Sequence, residues 1–153
     1  MRVMTRAAAE RYQPGPGDVC VSISDPAGSP ADLSPAFAAV LRLAFDDLER
    51  PSFRDDVPFA RPHAAMVRAF IRTHPGAAHV IVHCNAGASR SPGLALGISD
   101  WLGWPTREME ERHPGWNRRV RRIMGEPPST AGRFAAPVTW WRTFTTIVQR
   151  RRG

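Results

Sequence analysis

The sequence predicts a single α/β domain with a small, mixed, partly parallel central sheet flanked by helices. Three observations predict it. Short β-branched apolar runs alternate with segments of helical period. The 153 residues suit one core better than two. A hydrophobic content of 42% is enough to fill that core, which excludes wholesale disorder. No repeat at solenoid or propeller spacing is present.

Residues 1–17 read as an N-terminal arm closing in the turn-rich Gln13-Pro-Gly-Pro-Gly17. Asp18-Val-Cys-Val-Ser-Ile-Ser24 alternates apolar and polar residues and reads as a strand, with Asp25-Pro-Ala-Gly-Ser-Pro30 as the turn that ends it. Ala39-Val-Leu-Arg-Leu-Ala-Phe45 is a second strand, followed by a polar loop from Asp46 to about Arg61. Pro62 suits a first helical turn; Ala64, Val67, Phe70 and Ile71 then share one face, and His74-Pro75-Gly76 ends the helix. Ala78-His-Val-Ile-Val-His83 is nearly all apolar, as a strand buried on both faces requires. A helix from about Arg90 to Trp101 follows, with Pro92 tolerated in its first turn, and shorter helices are expected around Arg107–Arg112 and Trp116–Met124. The domain is expected to span 18–124. Residues 125–153 form a C-terminal extension in which Trp140, Trp141, Phe144, Ile147 and Val148 share a helical face; packing on the domain is favoured over a membrane-surface helix.

The net charge is +7, and all 21 basic residues are Arg. Arg without Lys reflects coding bias, but the positive balance favours anionic partners. The stretch Trp116-Asn-Arg-Arg-Val-Arg-Arg122 reads as a solvated face, or as a surface for an acidic partner. Scattered Arg without interleaved aromatics argues against nucleic acid. The polar start and the lack of any long apolar run predict a soluble, cytoplasmic protein with no membrane span. Cys20 and Cys84 are too few for a disulfide scaffold, and His63, His74, His79 and His113 lack metal-ligand spacing, so no metal or other cofactor is expected.

The chemistry is concentrated in His83-Cys-Asn-Ala-Gly-Ala-Ser-Arg-Ser91. A loop bent between strand and helix can aim successive backbone N–H groups at one anion, and the helix N-terminus adds its own donors. Gly87 permits backbone angles that a Cβ forbids, and Ala86 and Ala88 leave room. Asn85, Ala86, Gly87, Ala88, Ser89 and Arg90 thus make a candidate phosphate cradle, with Arg90 as a two-pronged donor. A thiol at Cys84 sits in that positive field, which favours the nucleophilic thiolate.

His-Cys, five residues, then Arg-Ser resembles the active-site loop of the protein tyrosine phosphatase superfamily. The Ala86-Gly-Ala-Ser-Arg-Ser-Pro92 version is closest to small, dual-specificity-like bacterial members. The resemblance is strong over Val80–Leu96 and looser over Val19–Met124. It implies the cysteine-phosphatase fold and hydrolysis of a phosphomonoester through a cysteinyl-phosphate. The expected substrate is protein phosphotyrosine, with dual specificity as a variant. Cys84 would be the nucleophile, Arg90 the phosphate clamp, Ser91 the hydroxyl that steadies the departing sulfur, and His83 a structural support. The resemblance also implies an Asp acid on the loop after Phe45. Phe45-Asp46-Asp47-Leu48 matches best at Asp47, with Asp46 next and Asp55 and Asp56 further along. Some relatives pair the nucleophile with a strand cysteine, a role open to Cys20, although a small strand residue is the favoured reading. The alternatives are a phosphate-binding module of the same fold that has lost catalysis, and a sulfurtransferase or thiol reductase, whose loop length or cysteine count fits less well.

Overall fold

The computed structural model describes residues 1–127. Among them, four strands and five helices run in the order β1 (Arg2–Thr5), α1 (Arg6–Arg11), β2 (Val19–Ser24), β3 (Ala39–Ala44), α2 (Arg61–Thr73), β4 (Val80–Cys84), α3 (Arg90–Leu102), α4 (Arg107–Arg112) and α5 (Arg118–Gly125). The strands form one sheet in the order β1-β4-β2-β3. All three pairings are parallel, so the expected α/β domain is present with its sheet parallel throughout rather than in part. No described helix is long and apolar enough to cross a membrane.

Alternation along the strands sends side chains to two different layers. Val19, Val21 and Ile23 of β2, Leu41 and Leu43 of β3, and Val82 of β4 face a core closed by α2, α3 and α5 through residues such as Val67, Leu94, Ile98 and Met124. Cys20, Val40 and Ile81 face the other side, where Phe37, Met4 and Tyr12 cover them.

Residues 1–17 are a correction to the sequence reading. They are no loose arm: Arg2–Thr5 pair with Ile81–Cys84 and extend the sheet beyond β4. Thr5 caps α1 by accepting from the Ala8 N–H, and Tyr12 donates to the buried Asp18 carboxylate at 2.7 Å. A four-residue edge strand carries too little periodicity to be read from sequence, because its partner lies about 80 residues away.

α3 is buried over nearly its first three turns, Arg90 to Ser99. Small residues let α5 lie directly on it. A Cβ at Gly97 would stand 2.6 Å from Met124 Cβ and 2.8 Å from the Arg121 carbonyl, and one at Gly93 would stand 2.6 Å from the Asn117 carbonyl. The far end of α5 is held by Arg68 of α2, whose Nη2 donates to the carbonyls of Ile123, Met124 and Glu126. A buried cation there satisfies orphan carbonyls and complements the helix dipole.

Gly97→Ala gains about 1 kcal/mol of helix propensity but overpacks a closed contact, which costs about 1–3 kcal/mol or more. The expected outcome is a lower urea midpoint than wild type; a raised midpoint would show that α5 can give way.

Candidate active site

A parallel sheet places the C-terminal ends of all its strands on one edge, where open α/β sheets bind their ligands. Here that edge gathers Thr5, Asp25, Phe45 to Asp47, and Cys84 with the loop 85–89. The loop is braced from the β1 side. Gly87 has a φ of +68°, and a Cβ there would sit 2.9 Å from the Thr5 backbone nitrogen and 3.0 Å from the Met4 carbonyl carbon and oxygen. The Arg6 N–H donates to the Asn85 carbonyl at 3.1 Å. The junction of β1 and α1 is therefore one wall of the loop, and only glycine fits at the crossing.

Ser89 precedes the 13-residue α3 without capping it. Its hydroxyl donates instead to Asp47 Oδ1 at 2.7 Å. The first N–H groups of α3 thus receive no cap from the Ser89 side chain, which, among the described residues, leaves the positive end of the helix open to an anion.

Cys84 is 2% exposed, at the border of the main core. Its Sγ lies 3.1 Å from Ser91 Oγ, which distinguishes it from a purely apolar buried thiol. Arg90 is buried as well: Nη1 donates to Asp25 Oδ1 at 2.7 Å and to the Phe45 carbonyl at 2.9 Å. Both anchors fall on Nη1. Nε is buried without a hydrogen-bond partner among the described residues.

The four loop carboxylates separate cleanly. Asp47 Oδ1 accepts from Ser89 and also from Asn117 Nδ2 at 2.8 Å. Asp46 turns the other way: its Oδ2 accepts from the Val57 N–H at 2.8 Å, and its backbone bridges to Pro58. Asp56 accepts from the Ser52 and Phe53 N–H groups, and Asp55 is exposed. Asp47 is the loop carboxylate of this group that reaches the 85–91 segment.

Sequence reasoning read Asp25 only as the start of a turn and Asn117 as part of the basic stretch. Asn117 is 3% exposed and does three things. Its Oδ1 caps α5 at Val120, its Nδ2 grips Asp47, and its backbone N–H donates to the Ser89 carbonyl at 3.0 Å. The signal for Asn117 was its place as an N-cap after Pro114-Gly-Trp116.

The pairing of Cys20 with Cys84 is not supported by the fold. Cys20 stands opposite Ile81 in register, three residues from Cys84 along the sheet, or roughly 10 Å, and the two side chains face opposite layers. Disulfide geometry needs Cα atoms within about 7 Å. Burial pushes the Cys20 thiol up to about 12, so it stays protonated. Trp116 stacks beneath Arg121, whose guanidinium carbon is 4.8 Å from the ring centroid. Arg121 is in turn paired with Asp100 and Glu110, so this part of the basic stretch is internally neutralised. The residues of the C-terminal extension from 128 onward, with Trp140 and Trp141, lie outside the described residues. Among the described residues, no group of three His, Cys, Asp or Glu side chains is placed to hold a metal ion.

His83 is 1% exposed, next to the nucleophile candidate but on the other face of β4. Burial pushes its pKa from 6.5 down to about 4, only partly offset by the neighbouring Cys84 backbone. The folded protein therefore holds it neutral, while the unfolded chain takes up a proton below about 6.5. Stability from this group is full above that value and is lost as the pH falls toward 4, by up to about 3 kcal/mol. Burial lowers the pKa of His63 in the same direction. Urea midpoints are expected to drop between pH 7 and 4.5, with a shallower drop in His83→Gln; an equal slope in the variant would place the effect elsewhere.

Compared with protein-family models and with curated proteins, the chain matches none.

Proposed function

We propose that this protein is a phosphomonoester hydrolase that works through a cysteinyl-phosphate, as the resemblance of its loop to the protein tyrosine phosphatases implies. The observation that carries the reading is the pairing of Cys84 Sγ with Ser91 Oγ at 3.1 Å at the uncapped start of α3, beside a buried arginine whose Nε has no acceptor among the described residues. A small apolar residue would need neither the hydroxyl nor the arginine. An oxyanion would satisfy both the Nε–Nη2 edge and the α3 amides.

In this mechanism the Cys84 thiolate attacks phosphorus, forming the S–P bond as the ester P–O bond breaks. Arg90 and the amides of 85–90 hold the equatorial oxygens, which is the main electrostatic task in phosphoryl transfer. Asp47, protonated at the start, gives its proton to the departing oxygen. Its hydrogen bonds from Ser89 and Asn117 both fall on Oδ1, which leaves Oδ2 to carry that proton. Water then attacks phosphorus, Asp47 takes one of its protons, and the sulfur leaves with a hydrogen bond from Ser91. One ester and one water become an alcohol and inorganic phosphate.

The burial of Cys84 favours phosphotyrosine, because its ring sets phosphorus further from the peptide backbone than phosphoserine does. The partner is then a phosphorylated protein.

Cys84→Ser is expected to abolish turnover of phosphotyrosine peptides and aryl phosphates; retained turnover would exclude the cysteinyl-phosphate. Asp47→Asn should lower kcat about 10²–10⁴-fold on leaving groups as basic as the tyrosine phenolate and far less on the weakly basic nitrophenolate. Asp46→Asn should stay within a few-fold of wild-type kcat while lowering stability. Interchanged effects of the two aspartates on the leaving-group dependence would assign the acid to Asp46.

A further inference from the structure

Asp25 follows β2 in what the sequence presents as an ordinary Asp-Pro turn, yet its carboxylate joins both ends of the nucleophile loop. Oδ1 accepts from Arg90 Nη1 at 2.7 Å, and Oδ2 accepts from Asn85 Nδ2 at 2.8 Å. Asn85 is the first residue after Cys84, and Arg90 begins α3.

The pair is unlike a surface salt bridge, where two long solvated side chains gain little. The Arg90 side chain is 6% exposed, and the Asp25 side chain is 49% exposed. The Phe45 carbonyl holds the same Nη1 at 2.9 Å. Two acceptors on one nitrogen, contributed by the ends of β2 and β3, fix both the position and the rotation of the planar guanidinium. An arginine is rich in rotamers, and a fork that must meet two oxygens at once gains most from having that freedom removed beforehand.

We propose that Asp25 is the positioning residue for oxyanion binding at this site. It holds Arg90 by Nη1 so that the Nε–Nη2 edge is presented to two phosphoryl oxygens, and through Asn85 it keeps the loop amides in the matching curve. The proposal rests on the phosphatase reading for its substrate but needs only an oxyanion for its test. Asp25 touches neither sulfur nor phosphorus and transfers no proton. Its carboxylate also offsets the guanidinium charge, so the gain from Asp25 is in aim rather than in attraction.

The test is tungstate binding by calorimetry to the full chain, alongside kcat and KM on an aryl phosphate, thermal melts, and the rate of Cys84 alkylation by iodoacetamide. Asp25→Ala is expected to weaken tungstate binding about tenfold or more, to raise KM in parallel, and to leave the alkylation rate within about threefold. Asp25→Asn, which keeps an acceptor for Nη1 but loses the charge, should fall between the two. A purely structural role would instead lower the melting temperature and disturb alkylation together with binding. Wild-type tungstate affinity in Asp25→Ala overturns the proposal. If that variant does not fold, wild-type affinity in Asp25→Asn overturns it equally. A wild-type protein that hydrolyses no phosphomonoester but binds tungstate through Asp25 sinks the phosphatase reading and supports this one. A wild-type protein that binds no tungstate overturns the positioning role.

Discussion

A single buried guanidinium joins the strand ends on which the site depends. Arg90 starts α3, and its Nη1 is fastened to Asp25 beyond β2 and to the Phe45 carbonyl beyond β3. A buried charge with one partner removed is strongly destabilising, whereas the same charge between two fixed acceptors makes a rigid joint. The joint holds only because the strands are parallel, so that β2, β3 and β4 all end on the same edge. The mobile donor of an exposed arginine has here become a part of the scaffold.

Packing far from the loop reaches the same place. The glycines of α3 let α5 approach closely enough for the Asn117 backbone to touch the turn at Gly93 and Ser89. The Asn117 side chain then meets Asp47 across 70 residues of sequence. Asn117 also caps the helix that this packing brings in, so the cap of α5 and the orientation of the carboxylate are one structural unit. Arg68 closes the opposite end of that helix and prevents it from sliding along the seam.

Much of this was legible beforehand because the governing signals were local. β2 announced itself by β-branched alternation, β3 and β4 by short apolar runs, α2 by its proline and apolar face, and the 84–91 loop by its small residues between strand and helix. What stayed hidden was set by pairing at a distance. Arg2–Thr5 is a strand only because β4 offers it an edge. Asp25 matters only once β2 and β4 are known to run side by side in the same direction. The motif ranked Asp47 ahead of Asp46, but it did not show which of two adjacent side chains, pointing opposite ways in an extended chain, meets the loop. The bridge of Asp46 to Pro58 decides which of them turns toward the loop.

The separation of the two cysteines onto different layers of the sheet has a chemical consequence. A sulfenic acid formed at Cys84 would find no second thiol of its own chain to condense with, because the chain holds only two cysteines and the other is sealed behind β2. A neighbouring backbone nitrogen could at most cap the oxidised sulfur as a sulfenamide, so its reduction to the thiol would fall to a diffusible thiol. Recovery from peroxide would accordingly follow the surrounding reductant rather than any internal relay.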